Sequence, residues 1–320
     1  MSMSSSLSTL PPDLIGQILS RLDGPSLASA SASSSLLHST ALSLSLWKNI
    51  SLSLWPSIAP LQPLISSYHS FFSSSFPLLS PSPSSSISPV PLSPSETIAA
   101  VDLFHNTKPI FSKTLTSSTP DSPWFLNSPF SIQALDSTDP QPVIEFSGHL
   151  FGEICRDLED SLGLSWILID GVTKKSANLS SWKPLVVSRQ WFSEGEFIAR
   201  FGCVVLRDGV KASLCCVVVR MESFLEREKV GVKVKEVSLQ VEEMGGGCLN
   251  GREGLEVLGA ALGSERKSGF KEVKRVYEDF VRLEREMKEK KVRTEVRVDM
   301  GCVMSGILAF AIFWVFLFSR

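Results

Sequence analysis

The segment Met300 to Phe318, MGCVMSGILAFAIFWVFLF, restricts the chain most. It carries no charge and is apolar on every side, so a helix made from it has no face to give to water. At 1.5 Å per residue its roughly nineteen residues nearly match a bilayer core of about 30 Å. The other solution is a helix buried whole inside a protein core. A basic cluster comes just before it, Lys288, Lys290, Lys291, Arg293 and Arg297. Such clusters collect on the cytoplasmic side of membrane spans. Residues 299–319 are therefore expected to be a single-pass C-terminal transmembrane anchor, with the bulk of the chain cytosolic.

Residues 266–298 are a different material. Phe270, Val273, Val276, Tyr277, Phe280, Leu283 and Met287 make a narrow apolar stripe at helical spacing, and Lys, Arg and Glu cover the rest. Pairs such as Glu284 and Lys288 have the i,i+4 spacing that supports a solvated helix. The expectation is a long charged amphipathic helix that packs on the body or pairs as a coiled coil.

At the other end, Leu10 to Trp47 reads LPPDLIGQILSRLDGPSLASASASSSLLHSTALSLSLW. Proline is tolerated in a first helical turn, and Asp13 complements the positive end of the helix dipole. Leu14, Ile15, Ile18, Leu19 and Leu22 recur at helical spacing. Asp23-Gly24-Pro25 stops that helix and starts a second, and Ser33 to Leu46 reads as a third, closed by Trp47. Three helices this short have too little apolar mass for a private core, so they need a partner.

The Leu-Pro start, the Ile18-Leu19 pair, the Leu27-x-x-Ala30 step and the terminal Leu46-Trp47 together resemble an F-box. The resemblance implies docking onto a Skp-type adaptor and, through it, a cullin scaffold, in an SCF-type ubiquitin ligase. The adaptor-binding residues it implies are Leu10, Pro11, Leu14, Ile18, Leu19, Leu22, Leu27 and Trp47. One departure from the family pattern falls at Ser31 to Leu37, SASSSLL, where a Val-Cys-x-x-Trp-like segment is usual. A Ser-rich third helix offers an adaptor less bulk.

Residues 1–56 are thus assigned to the F-box and 57–79 to a connecting helix near Leu61 to Phe72. Residues 80–95, SPSPSSSISPVPLSPS, form a linker, because serine and proline cannot build a packed core. Beyond it, Glu96 to Phe104 is expected to be a short helix with Ser93 as cap, Pro94 at its start and Ile98, Val101 and Phe104 on one side. The remainder of 96–265 reads as β. Strands are expected at Pro109–Thr114, Phe130–Leu135, Val143–Ser147, Ser165–Asp170, Leu185–Trp191, Phe197–Leu206, Ser213–Met221 and Val232–Val241, with helices at Glu153–Leu162 and Gly254–Leu262. Val232, Val234, Leu239 and Val241 alternate with polar residues, apart from a slip near Val237. Sequential hairpins imply a mostly antiparallel sheet, sandwich-like or single. The fold class is therefore α+β: a three-helix F-box, a β-rich domain, a charged helix and a membrane helix.

Trp182 and Trp191 flank polar loops, ANLSSWKP and SRQWFSEGE, and stand out as candidates for a substrate or ligand site. Most aromatics of such a domain belong to its core. The same loops, with KPIFSK and LQVEEM, extend the resemblance to a plant-type F-box family. A lectin-like sandwich, seen behind other plant F-boxes, is a related alternative. It would make the chain a membrane-anchored ligand-binding or scaffold protein with a non-functional F-box.

A net charge of -2 gives phosphate no basic face, so nucleic acid is not an expected partner. The six cysteines form no C-x-x-C, and MSMSSSLSTLPPD lacks the basic and apolar regions of a secretory signal, so reduced thiols are expected. None of the four histidines lies in H-E-x-x-H or beside a recognisable nucleophile motif, and Gly245-Gly246-Gly247 is not followed by Gly-Lys-Ser/Thr. The expected function is that of a non-catalytic substrate-recognition subunit, binding an unknown protein, with no cofactor and no metal.

Overall fold

The computed structural model describes residues 11–43, 45–79, 91–92, 97–116, 122–136, 138–146, 153–190, 195–207, 211–226 and 229–319. The N-terminal helices are α1 (Pro12–Leu19), α2 (Gly24–Ser33), α3 (Ser35–Ser43) and α4 (Leu46–Leu54). Trp47 does not close the third helix as expected but lies in the first turn of the fourth. The Ser-rich stretch Ser31 to Leu37 is not one helix either. It straddles the α2–α3 break, where Ser34 is extended. Serine side chains compete for backbone hydrogen bonds, which favours such a break.

After Trp55 a 3-10 helix, Pro56–Leu64, carries Pro60 and Pro63, which an α-helix would not tolerate. Next comes α5 (Tyr68–Ser75), capped by Ser67, whose hydroxyl accepts from the Ser70 N–H. The expected connecting helix is thus two elements, a proline-bearing 3-10 helix and α5, separated by Ile65 to Ser67. Most of the expected Ser/Pro linker, residues 80–90 and 93–95, lies outside the described residues.

The remaining elements are β1 (Leu78–Leu79), β2 (Thr97–His105), β3 (Lys108–Thr116), α6 (Pro123–Asn127), β4 (Ser131–Leu135), β5 (Val143–Phe146), α7 (Ile154–Ser161), β6 (Leu162–Asp170), β7 (Ser176–Asn178), β8 (Val186–Arg189), β9 (Glu196–Arg207), β10 (Lys211–Glu226), β11 (Lys229–Glu243), α8 (Gly251–Gly263), β12 (Arg266–Ser268) and α9 (Phe270–Phe318). Two antiparallel sheets result. One has the order β3-β2-β6-β7; the other runs β4-β11-β10-β9-β8, with β5 also paired to β11. β1 and β12 form a small separate ribbon.

Where a helix was expected over Glu96 to Phe104, the described part, from Thr97 onward, is a strand. Residues of both parities along it are apolar because both faces of β2 are covered, so a helical spacing could be picked out by chance. Ala99, Val101 and Leu103 face the second sheet; Ile98 and Ala100 face the N-terminal helices. The slip at Val237 also has a structural cause. Arg220 pairs with Glu236 and Met221 with Val234, leaving Lys235 as an extra residue. This bulge lets Val232 and Val234 on one side of it, and Val237, Leu239 and Val241 on the other, all face the core.

The molecule is layered. The central core lies between the two sheets, with Trp166, Phe197, Phe201 and Val217 fully buried. α8 adds Val257, Leu258 and Ala261 to it. On the outer face of the four-stranded sheet, Ala100, Ile167 and Ile169 join the core of the N-terminal helices, with Trp55, Ile58, Leu61 and Phe71. On the outer face of the six-stranded sheet, Val204, Leu214, Cys216 and Val218 pack under Val273, Tyr277 and Phe280 of α9. The first turns of α9 therefore pack on the body. From there one unbroken helix of 49 residues continues to Phe318, and its segment from Arg285 onward is exposed. The charged helix and the expected anchor are a single element.

A buried carboxylate locks the N-terminal helices to the sheet. Asp102 on β2 is fully buried and accepts from the Ser57 N–H at 3.0 Å and from the Ser57 hydroxyl. The Thr114 hydroxyl donates to the Ser57 carbonyl. Burial raises the Asp102 pKa, against the opposing pull of hydrogen bonds from Ser112 and Ser57. A carboxyl raised in the fold binds its proton more tightly there than when unfolded. Its contribution is then fully present below the unfolded carboxylate range and is lost as pH rises through the raised value. Asp102→Asn keeps an acceptor for the Ser57 N–H and cannot ionise. The melting temperature of wild type relative to Asp102→Asn is expected to rise as pH falls from 7 toward 4.5. A difference independent of pH would contradict this ionisation account.

Candidate functional site

The exposed apolar surface of α1 is the first candidate. Pro12 starts the helix, and Asp13 sits in its first turn. Ile15 and Leu19 turn inward and are 2% exposed, whereas Leu14 and Ile18 are 44% and 54% exposed. With Pro11, also exposed, they form a stripe at i, i+3 and i+7. Leu36 and Leu42 of α3 add exposed apolar surface on a helix that packs against α1.

The structure divides the expected adaptor-binding set. Pro11, Leu14 and Ile18 face solvent; Leu22 is half-buried; Leu19, Leu27 and Trp47 are buried in the core of the helices themselves. Leu10 lies outside the described residues. The buried three hold the exposed three in place. Trp47 packs among rings supplied from beyond the motif, tilted against Phe72 at 5.1 Å and edge-on to His69 at 5.0 Å. Gly24 admits the Phe72 ring at the start of α2, where a Cβ would lie 2.0 Å from it. Asp23 caps α2 through the Ser26 N–H at 3.0 Å. Hydrogen bonds from Ser26 hold its carboxyl below the usual range.

The tryptophan candidates on the sandwich fare differently. Trp182 is half-buried, its ring tilted against Phe104 at 5.1 Å, and its carbonyl accepts a hydrogen bond from the Leu164 N–H at 2.9 Å. Its φ of 67° is unusual for a bulky residue, so its loop is held against local preference by these contacts. Trp191 lies outside the described residues. Trp166 is a core residue, while Trp124 is 78% exposed on α6.

A recess of about 600 Å³ was not anticipated from sequence. It lies by the β11 bulge and is lined by Gln133, Asp136, Glu196, Arg220, Glu222 and Lys235, among others. Its bases are already paired, Arg220 with Glu236 at 3.2 Å and Lys235 with Glu222 at 2.6 Å. The signal that could have found it is the parity slip at Val237, since bulges re-aim side chains next to sites. Among the described residues, no group of three or more His, Cys, Asp or Glu is placed to hold a metal. α9 is long and apolar enough to cross a membrane by length and composition, and its most apolar window is wholly exposed.

The F-box-like family profile matches residues 7–53. F-box protein At2g27310 of Arabidopsis thaliana is 35% identical over 98% of this chain and 97% of its own length. Probable F-box protein At2g36090 of the same plant is 37% identical over 98% of this chain and 94% of its own length. F-box protein At3g44326, also from Arabidopsis thaliana, is 32% identical over 96% of this chain and 89% of its own length. No solved structure matches.

Proposed function

Because the chain belongs to a family of plant F-box proteins, we propose that it is a substrate-recognition subunit of an SCF-type ubiquitin ligase. In this reading the F-box holds a Skp-type adaptor, and the sandwich holds a protein substrate. The observation that carries it is the stripe of Pro11, Leu14 and Ile18, left in water by a helix whose opposite face is fully used. An apolar stripe rigidly presented by a buried scaffold suits a helical partner. The chain itself does no chemistry in this account. It raises the local concentration of substrate near the transfer machinery.

The division of labour follows 1–56 for adaptor docking and 96–265 for substrate, with 80–95 as the connection between them. The recess beside the β11 bulge is the place we assign to a substrate segment. Co-precipitation of the full chain with a Skp-type adaptor and a cullin tests the reading. Recovery of neither, from folded protein, would end it.

The exposed C-terminal half of α9 supports a membrane tether. Deleting Met300 to Arg320 is expected to move the protein from the carbonate-resistant membrane fraction to the soluble one. A full chain that carbonate extracts as readily as the truncated one would contradict the anchor.

A further inference from the structure

Between the part of α9 that packs on the body and its apolar end lies a stretch, residues 289–299, EKKVRTEVRVD, in which every residue is exposed. An isolated helix this short is marginal in water, because starting one is unfavourable by roughly a thousandfold. Here both starts are supplied. On one side Val273, Tyr277 and Phe280 are buried against the six-stranded sheet. On the other, an apolar segment in lipid is held helical, since the helix satisfies its own backbone N–H and C=O groups. The stretch between them has only to propagate the helix. Glu, Lys and Arg do this well, and neither glycine nor proline occurs from Phe270 to Met300. Glu284–Lys288 at 2.6 Å and Glu289–Arg293 at 3.4 Å are i,i+4 pairs with the acid first, the favourable order. A charged helix supported in this way is the form that bridges solvent between two bodies.

The root of this stretch is held from a second side. The turn Gly245-Gly246-Gly247, which follows β11, passes against the Glu284–Lys288 pair. A Cβ on Gly246 would collide with Lys288 Cε and lie 2.8 Å from Glu284 Oε1. Gly246 also has a φ of 84°, which glycine adopts without strain. The glycine run that has no phosphate-loop sequence after it therefore has a structural use. It brings the turn's backbone against α9 and fixes where the helix leaves the body.

We propose that residues 289–299 are a stiff helical stalk that holds the body at a set height over the bilayer. The proposal rests on the membrane-tether reading above and adds a distance to it. From Lys288, beside the turn, to Met300 the helix rises about 18 Å. The headgroup layer takes up about 5–7 Å of that, which leaves on the order of 10 Å of water. Charge favours the separation: residues 1–284 carry more acidic than basic side chains, so an anionic leaflet repels the body. A flexible tether would let the body sample every height up to its own length. A stalk offers the body at one height, to proteins that stand in the same membrane.

The native thiols allow a direct test in the full chain. Cys248 follows the turn and Cys302 lies at the foot of the apolar segment; both are exposed, whereas Cys203, Cys215 and Cys216 are buried. Cys155→Ser removes the remaining accessible thiol. Spin labels on Cys248 and Cys302, with the protein reconstituted into phosphatidylcholine liposomes, report the distance by double electron–electron resonance. A single narrow distribution centred on roughly 20–30 Å is expected, the helical rise from 288 to 302 with the label arms added. Inserting Glu-Ala-Ala-Ala-Lys-Glu-Ala between Thr294 and Glu295 should move the centre outward by about 10 Å without broadening it. Replacing 289–295 by Gly and Ser at equal length should broaden it. A wild-type distribution as broad as that of the Gly/Ser variant, or a centre that the insertion does not move, would overturn the stalk. Flotation of the same samples separates the two readings. Protein that floats with the liposomes and gives the broad distribution keeps the anchor and loses the stalk; protein that does not float loses both.

Discussion

A full chain carrying Leu14→Asp and Ile18→Asp should fold as wild type does and lose at least about a hundredfold in affinity for a Skp-type adaptor. Both side chains are about half exposed in the free protein, so replacing them removes little buried area. Asp at position 14 adds charge near the favourable end of the α1 dipole; at position 18 it sits nearer the unfavourable end, at a cost of about 0.3–1 kcal/mol. The fold therefore changes by a small amount, visible as a shift of a few degrees in melting temperature at most. At an interface the balance is different. Each carboxylate would be taken out of water against an apolar surface with no cation to meet it, which costs several kcal/mol per ion. Two such costs exceed the roughly 2.7 kcal/mol that a hundredfold requires. Binding of the double variant within tenfold of wild type, with circular dichroism unchanged, would remove α1 from the interface.

The second large effect concerns how the two halves of the body are joined. Ile58 and Ile167 are both fully buried and belong to one cluster, although the first comes from the 3-10 helix and the second from β6. Truncating either to Ala should cost about 2–5 kcal/mol, the usual range for a buried isoleucine that leaves a cavity. Because the cluster spans the F-box helices and the sheet, either truncation should lower the same thermal transition. Ile167→Ala should therefore weaken adaptor binding at high temperature even though residue 167 is far along the chain from the F-box. Two separate transitions, with Ile58→Ala affecting one and Ile167→Ala the other, would mean that the F-box melts by itself. The functional consequence of a shared transition is geometric. Adaptor and substrate would be held at a fixed separation, as proximity-based transfer requires.

Much of this architecture could be read from the chain, and the failures have physical causes. Strands such as β9, β10 and β11 declared themselves by β-branched runs and alternation, and α9 by its stripe and its uncharged end. The continuous apolar run SWILID marked a strand, but not the reason for its continuity. β6 is buried on both faces because the sandwich core lies on one side and Ile167 and Ile169 meet the F-box helices on the other. That double burial also defeated periodicity over Thr97 to His105, where apolar residues of both parities fit a helix as well as a strand. The motif position of Trp47 is visible in sequence while its direction is not, and the structure turns it into the core of the helices. Its partners, His69 and Phe72, lie more than twenty residues onward and are brought to it by α5.

Hydrogen exchange of the full chain in detergent, with and without a Skp-type adaptor, examines the central claim most directly. Adaptor should protect amides of α1 and α3, around Leu14, Ile18, Leu36 and Leu42, and leave the strands around the β11 bulge, where we place the substrate, unchanged. No protection at α1 and α3, or protection confined to the sandwich, would contradict the assignment of this chain as an adaptor-docked substrate receptor.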